Sequence, residues 1–144
     1  MKDLIKVLNK QVANFGVLYT KLHNFHWFVK GQNFFRLHDK FEELYDQVTG
    51  YFDEVAERIL MLGERPVGTL KEFLEVTSIE EAKGNETDIE MVKATIADFK
   101  KINDELAEGL ELAEKLGDDV TADLFTGIRA DLQKEIWFLE TFIA

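Results

Sequence analysis

The side chains best suited to binding a metal ion are concentrated in one part of this chain. All three histidines fall within sixteen residues, at His23, His26 and His38. A run of carboxylates follows them at helical spacing, at Glu42, Asp46, Asp53 and Glu57. Neutral imidazole and carboxylate together suit iron, zinc or manganese. This pattern indicates a metal-binding segment, whereas the rest of the chain is ordinary helical sequence.

The segment that carries the carboxylates is predicted to be a helix from Phe34 to about Leu62. Its apolar residues recur at helical spacing, at Leu37, Phe41, Leu44, Val48, Val55, Ile59 and Leu62. On a wheel of 100° per residue these positions lie within about 40° of Leu37, whereas four possible ligands lie between about 100° and 200°. The four are His38, Glu42, Asp53 and Glu57, which form two pairs, each spaced i, i+4 and able to reach one ion.

The face that holds these four residues has two interpretations. Most charged helix faces are solvated, and this one would then be an acidic stripe. However, Phe35 and Leu60 share the face, near about 160° and 140° by the same geometry. Two large apolar side chains on a polar stripe favour contact with another surface.

The distance between the two pairs limits how they can bind a metal. Glu42 and Asp53 are eleven residues apart, which is about 16 Å along a helix. Iron and zinc ligands lie within about 2.0–2.3 Å of the ion, so one helix cannot bring both pairs to one metal. Two copies packed antiparallel can, because the first pair of one copy then faces the second pair of the other. A two-fold axis makes two equal sites, and the spacing therefore predicts a metal site shared between subunits.

The other two histidines lie in the preceding helix. His26 is close to its end, across a turn at Gly31 from His38, and can supply another imidazole to the first pair. His23 lies one turn earlier. For both, a packed or surface histidine is the alternative, since histidine is intermediate in burial.

Four long amphipathic helices and one short helix account for the chain. The first is predicted from Leu4 to Val29, the third from Thr87 to Gly117, the fourth from Asp118 or Asp119 to Ile143, and the short helix over Thr69–Leu74. No alternating strand pattern is present, so the fold class is all-α, a four-helix bundle. A chain of 144 residues suits one domain covering residues 1–144. The predicted core of the last helix is Val120, Leu124, Ile128, Leu132, Ile136, Leu139 and Ile143.

The link between the second and third long helices is too long for a simple hairpin. It spans 24 residues, from Gly63 to Glu86, whereas antiparallel neighbours need only about 2–8. A long crossover along the bundle is therefore predicted, with the short helix inside it. That is the ferritin-like topology rather than an up-and-down bundle.

Several helix starts carry capping residues. Asn33 is a candidate N-cap of the second helix. The sequence TLKE at Thr69 and the sequence TDIE at Thr87 both fit a capping box. Asp118 or Asp119 is expected to cap the last helix.

Composition and charge exclude several classes of protein. The chain has no cysteine, so disulfides and thiolate metal sites are excluded. No apolar run approaches the length of a membrane span, and the N-terminus lacks the apolar core of a signal peptide, so a cytoplasmic protein is expected. The net charge of −11 disfavours contact with polyanions and concentrates cations near the surface, although solubility alone explains most acidic chains.

A second acidic cluster lies at the junction of the third and fourth helices. It contains Glu114, Asp118, Asp119 and Asp123. Acids at a helix N-terminus cap it and offset its dipole, which is the simpler interpretation. Symmetry copies of the cluster would instead form a ring that attracts cations.

Several motifs together resemble one family. LHNFHW, then KGQNFFRLHDKFEELY and DEVAERIL, are similar to the ferritin-like Dps proteins, "DNA-binding proteins from starved cells", especially those of Gram-positive bacteria. GDDVTADL and IWFLETFIA resemble the last helix of the same family. The resemblance covers nearly the whole chain. It implies a hollow twelve-subunit shell that oxidises Fe(II), preferably with hydrogen peroxide rather than dioxygen, and stores Fe(III) as a mineral.

The resemblance also implies a set of ligands. The ferroxidase ligands of the family correspond to His26, His38 and Glu42 of one subunit with Asp53 and Glu57 of a two-fold neighbour, which agrees with the shared site. Many members have Asp where this chain has Glu42, and the longer glutamate can still bind the metal. The family's acidic pore corresponds to Glu114, Asp119 and Asp123.

The expected function is therefore that of a ferroxidase and iron-storage protein, an enzyme that removes Fe(II) and peroxide together. The alternative is a non-catalytic oligomer that sequesters metal. DNA-binding members carry a mobile basic tail, but here only Lys2, Lys6 and Lys10 precede the body of the first helix. Phosphate contacts need clustered cations, so direct DNA binding is not expected.

Overall fold

The computed structural model describes all 144 residues, and these form five α-helices and no strand. The helices are α1 (Lys2–Phe28), α2 (Phe34–Met61), α3 (Leu70–Val76), α4 (Asp88–Lys115) and α5 (Asp119–Phe142). The all-α prediction is confirmed, with four long helices and one short helix. None of the helices is long and apolar enough to cross a membrane.

Side-chain contacts show that neighbouring long helices run antiparallel. In α1 and α4, Lys21 pairs with Asp98, whereas Gln11, earlier in α1, donates to Glu105, later in α4. The same inverse order relates α1 to α2 and α4 to α5. Helices α2 and α4 therefore run in the same direction, and Asn33 at the start of α2 donates to Asp88 at the start of α4 over 2.9 Å.

Parallel α2 and α4 require a connection that returns along the whole bundle. The chain from Leu62 to Thr87 does this, with α3 inside it. This is the long crossover expected from the length of the link. Its presence confirms the ferritin-like topology.

A buried asparagine ties this crossover to the bundle. Asn14 in α1 is fully buried. Its Oδ1 accepts from the Ser78 backbone N–H at 2.8 Å and from the Thr77 hydroxyl at 2.7 Å, and its Nδ2 donates to Glu105 Oε1 at 2.9 Å. Because buried polar groups are costly when unpaired, these bonds fix the crossover against α1 and α4.

Two glycines allow large rings to approach a helix backbone closely. A Cβ on Gly16 would lie 2.8 Å from the Phe73 ring, which places α3 directly on α1. A Cβ on Gly109 would lie 2.6 Å from the Phe125 ring. Phe125 is therefore fully buried, whereas Val120, which we expected in the core, is 61% exposed. The expectation for Val120 was wrong because the space left by the missing side chain of Gly109 accepts the Phe125 ring. The rotation of α5 that buries Phe125 leaves Val120 in solvent.

The structure tests each predicted cap. Thr87 forms the complete capping box with Glu90, and Asp118 caps α5 by accepting from Thr121 N–H. Thr69 accepts from Glu72 N–H. Asn33 occupies the N-cap position of α2 but makes no side-chain cap, and its amide nitrogen donates to Asp88 instead.

The core is a single cluster of 31 buried residues. The predicted stripe of α2 is buried from Leu37 to Ile59, with Leu62 at its edge. This burial fixes the rotation of α2. As a result its acidic face points away from the core.

Candidate metal centre

His26 and His38 face each other across the turn between α1 and α2. His26 Nδ1 lies 2.6 Å from the His38 carbonyl oxygen, and His38 Nδ1 lies 2.8 Å from the His26 carbonyl oxygen. Their rings stack with centroids 3.8 Å apart. A nitrogen that faces a carbonyl must carry the proton, so Nε2 of each ring holds the lone pair. This arrangement fixes the tautomer in which each histidine presents Nε2 as a ligand.

Both imidazoles are supported by the surrounding protein. His26 is buried, and the His38 ring stacks on Phe34 at 5.0 Å. Glu42 lies next to them, with Oε1 3.9 Å from His26 Nε2. Two ligand atoms that each lie about 2.0–2.2 Å from one ion can be this far apart. His26 therefore lies next to both His38 and Glu42, and their role as metal ligands remains a prediction.

Asp53 and Glu57 form a second group near the end of α2. Both are exposed. A hydrogen bond with Asp53, together with the negative charge of Asp53, raises the pKa of Glu57 above its usual range. The two carboxyl groups are therefore neighbours on the helix, and two carboxylates side by side can bind one cation.

The two groups do not meet within one chain. Glu42 and Asp53 remain eleven residues apart on one continuous helix, about 16 Å along its axis. No three His, Asp or Glu side chains of the single chain are grouped so that they could hold one metal ion. Phe35 and Leu60, on the same face, are 81% and 60% exposed. The face that carries the two groups is thus apolar at both of its ends and uncovered.

His23 does not join this group. Its Nδ1 lies 2.7 Å from the Tyr19 carbonyl oxygen, and its ring stacks on Tyr45 at 3.6 Å. Tyr45 in turn donates to Glu42 Oε1 over 3.4 Å. Desolvation and then the charges of Glu42 and Asp46 raise the pKa of Tyr45, which keeps its phenol protonated.

Tyr45 is in contact with this site through Glu42, whereas the sequence alone favours simple packing for it over interception of radicals. The available signal was its spacing, one turn after Glu42 on the same helix. That spacing brings two side chains within reach of each other. It does not show that His23 holds the phenol ring in place.

The second acidic cluster divides into two parts. Asp118 Oδ1 pairs with Arg58 Nη2 at 2.9 Å and accepts from the Thr121 backbone N–H at 3.0 Å. Burial by itself would raise the pKa of Asp118. The hydrogen bonds from Thr121 and the charge of Arg58 lower it by more, so the pKa of Asp118 lies below its ordinary value. Asp118 is therefore a helix cap, which is the simpler of the two interpretations.

The other acids of this cluster are exposed. They are Glu114, Asp119 and Asp123. Asp123 lines a groove between α2 and α5 together with Glu54 and Glu57. The two predicted acidic regions are thus neighbours in space.

Comparison with known proteins identifies the family. The model of the ferritin-like domain matches residues 5–144. The chain is 51% identical over 142 residues to "DNA protection during starvation protein 2" of Bacillus anthracis, covering 99% of this chain and 97% of that protein. The chain belongs to the Dps group of ferritin-like proteins.

Solved Dps structures share its fold. The Dps structure of Staphylococcus aureus superposes with a TM-score of 0.98 at 47% identity and covers 100% of this chain and 97% of its own. A Vibrio cholerae Dps structure, at 31% identity and a TM-score of 0.96, covers 99% of this chain and 90% of its own. That protein is described as a member of a broad superfamily of ferritin-like diiron-carboxylate proteins. The donor set of this Dps chain, imidazole with carboxylate, is of the kind that suits iron.

Proposed function

We propose that this Dps protein is a ferroxidase and iron-storage protein. It oxidises Fe(II), preferably with hydrogen peroxide, at sites shared between two subunits. It stores the Fe(III) as mineral inside a hollow homo-dodecamer of about 200 kDa, twelve times the 16.7 kDa chain. The protein would thereby remove the two reactants that together damage cells under oxidative stress.

The observation that carries this proposal is the reciprocal bonding of His26 and His38. Each ring uses Nδ1 on the backbone of the other residue, which leaves two Nε2 atoms and Glu42 as an open, partial ligand set. A set with few protein ligands keeps positions for a second iron and an oxidant. A histidine pair with only a packing role needs neither two free Nε2 atoms nor a carboxylate 3.9 Å from one of them.

A two-fold partner completes the set in this proposal. When two α2 helices pack antiparallel, Asp53 and Glu57 of the partner subunit approach His26, His38 and Glu42. The exposed Phe35 and Leu60 would become buried in that contact. Burying such groups stabilises association, so the same face provides both the interface and the ligands.

The reaction has a simple balance. Two Fe(II) ions each give up one electron, hydrogen peroxide accepts both, its O–O bond breaks, and two protons complete two molecules of water. Imidazole nitrogens bind the entering Fe(II), while the carboxylates offset the extra positive charge of Fe(III). Taking both electrons at one site avoids release of a hydroxyl radical.

Metal sequestration without catalysis is the alternative function. The neighbouring, exposed carboxyls of Asp53 and Glu57 are compatible with it, because carboxylate pairs bind divalent cations of several kinds. Imidazole and carboxylate also bind zinc, which has no redox chemistry.

An anaerobic Fe(II) titration followed by peroxide separates the two functions. The ferroxidase proposal expects rapid oxidation over many successive additions of iron, with a soluble Fe(III) product that migrates with the protein. Sequestration expects saturation with the first bound ions and no catalysis afterwards. Oxidation no faster than in protein-free buffer would contradict the proposal.

A further inference from the structure

Glu42 is far more exposed than His26, its neighbour in the proposed ligand group. Its side chain is 55% accessible, compared with 9% for His26. A glutamate side chain has three rotatable bonds, and ordering it on binding costs conformational entropy. A site that uses Glu42 efficiently therefore needs a group that holds its carboxylate in place.

One neighbouring group holds that carboxylate. The Tyr45 hydroxyl donates to Glu42 Oε1 over 3.4 Å, and this same oxygen lies 3.9 Å from His26 Nε2. The contact restrains a carboxylate oxygen that lies beside the imidazole, on a side chain that is otherwise exposed. It also leaves Glu42 Oε2 free to approach a cation.

Tyr45 is itself fixed by an aromatic cluster. Its ring stacks on His23 with centroids 3.6 Å apart and planes 19° apart, and it meets the His26 ring edge-on at 5.4 Å. His23 is anchored in turn by the hydrogen bond from Nδ1 to the Tyr19 carbonyl. A hydroxyl on a ring held in this way loses little freedom when it binds a partner, so the contact is favourable even near the surface.

We infer that Tyr45 is a positioning residue, whose hydroxyl holds the Glu42 carboxylate beside His26 so that a divalent cation meets an assembled pair of ligands. The inference rests on the proposed function insofar as Glu42 is a metal ligand. It also assigns a role to His23, which packs the phenol ring and does not bind the metal.

Binding of Co(II) tests this inference independently of iron oxidation. Co(II) does not turn over under these conditions, and its visible absorption reports its ligands. Tyr45→Phe keeps the stacked ring and removes only the hydroxyl, so the assembly should persist in light scattering. We expect Co(II) to bind about three- to ten-fold more weakly, the effect of losing one hydrogen bond. Tyr19→Phe is the matched control, because it removes a hydroxyl from the same cluster and should leave Co(II) affinity within about two-fold of native.

A double-mutant cycle shows whether Tyr45 acts through Glu42. Aspartate is one methylene shorter, so in Glu42→Asp the carboxylate no longer reaches the Tyr45 hydroxyl. Adding Tyr45→Phe to Glu42→Asp should therefore change Co(II) affinity by less than about two-fold, although it weakens binding in the native background.

Each outcome bears on the inference. Equal Co(II) affinity in Tyr45→Phe and native protein, an equal loss in Tyr19→Phe, or an undiminished loss in the Glu42→Asp background would overturn it. If the cycle shows coupling between Tyr45 and Glu42 but native protein does not oxidise Fe(II), the inference is supported and the ferroxidase proposal is contradicted. If native protein oxidises Fe(II) rapidly but the cycle shows no coupling, the ferroxidase proposal is supported and the inference is contradicted. Native protein that binds no Co(II) would contradict both.

Discussion

At the start of α2, His38 and Glu42 stand beside α1, whereas near its end Asp53 and Glu57 are exposed and interact with each other. The first group is held by hydrogen bonds to backbone carbonyls and by stacked rings. The second has no imidazole, and its two carboxyls are exposed neighbours, so that the Asp53 carboxyl raises the pKa of Glu57. One helix thus carries a rigid half-site and an adaptable half-site.

This difference indicates how the two halves would share the work of binding iron. The rigid half has its ligand atoms selected before a metal arrives, because the backbone fixes which nitrogen of His26 and His38 is free. The adaptable half supplies negative charge from two exposed carboxyls. In the proposed site neither half is sufficient, so changes at either end should have effects that depend on the other.

The largest expected effect comes from removing one ligand from each half. His38→Ala and Asp53→Ala should each slow Fe(II) oxidation by at least about 10- to 100-fold, the range seen when groups that only orient metal ligands are removed. Each change damages every site of the oligomer. Stopped-flow absorbance after peroxide addition measures the rate, with Asp39→Ala as a control for an exposed acid on α2.

Mixing these two variants tests whether the halves belong to different subunits. At an interface that joins one variant of each kind, the two-fold axis puts both lesions in one site and leaves its twin intact. Activity at such interfaces should return towards half the native value once subunits have exchanged. If exchange is verified by mass spectrometry and no oxidation returns, the shared-site model is wrong.

A smaller effect, on stability, is expected at the junction beside the adaptable half. Asp118→Ala removes the cap of α5 and the partner of Arg58, which should cost about 1–2 kcal/mol. The pKa of Asp118 is lower in the folded protein than in the unfolded chain. Its contribution is therefore complete at neutral pH and disappears as the pH falls through the folded-state value, below about 4.

Urea unfolding at fixed protein concentration measures this contribution. The midpoints of Asp118→Ala and native protein should converge as the pH is lowered. Asp123→Ala is the control, since Asp123 is exposed and lies beyond the first turn of α5, and should change stability by less than about 0.5 kcal/mol. A difference that is the same at pH 7 and in acid would show that the Asp118 charge is not responsible.

A few-fold effect on iron entry is expected from the exposed acids next to Glu57. Asp119→Asn combined with Asp123→Asn should slow uptake of added Fe(II) but leave oxidation of iron already bound unchanged. Because such acids act by attracting cations, the defect should shrink as salt rises. An uptake rate at low salt equal to that of native protein would return Asp119 and Asp123 to a purely local role in α5.

The smallest expected effect is on DNA, where we predict none. The carboxylates of both half-sites and the net charge of −11 repel the phosphate groups of DNA. The protein should leave duplex DNA unshifted in a gel at neutral pH with a chelator present, since Mg²⁺ can bridge two anions. A shift that weakens steeply with salt would reveal a cationic surface that we have not recognised.

The long helices and their order could be predicted because they depend on local pattern. The apolar stripe of α2, the capping box at Thr87 and the 24-residue crossover are all visible in the sequence. The split between two half-sites was also predictable. A helix advances by about 1.5 Å per residue, so no side-chain rearrangement can bring Glu42 and Asp53 of one chain to the same ion.

Other features depend on atoms that only the folded chain brings together. Whether Asn33 would cap α2 or reach Asp88 depends on where α4 begins in space. Whether Val120 or Phe125 enters the core depends on the gap beside Gly109. In both cases the alternative side-chain contacts or helix rotations have similar energies in the isolated helix, and packing against the neighbouring helix selects one of them.

The sequence by itself determined that imidazole and carboxylate groups line one face of α2 in two separated pairs, since residue type and helical geometry are sufficient for that. Only the tertiary structure decided that His26 and His38 bond to each other's carbonyls and that His23 turns aside to stack on Tyr45. The reason is that hydrogen bonds and ring contacts act over a few ångströms. They are determined when α1 folds against α2, and no spacing along the chain encodes them.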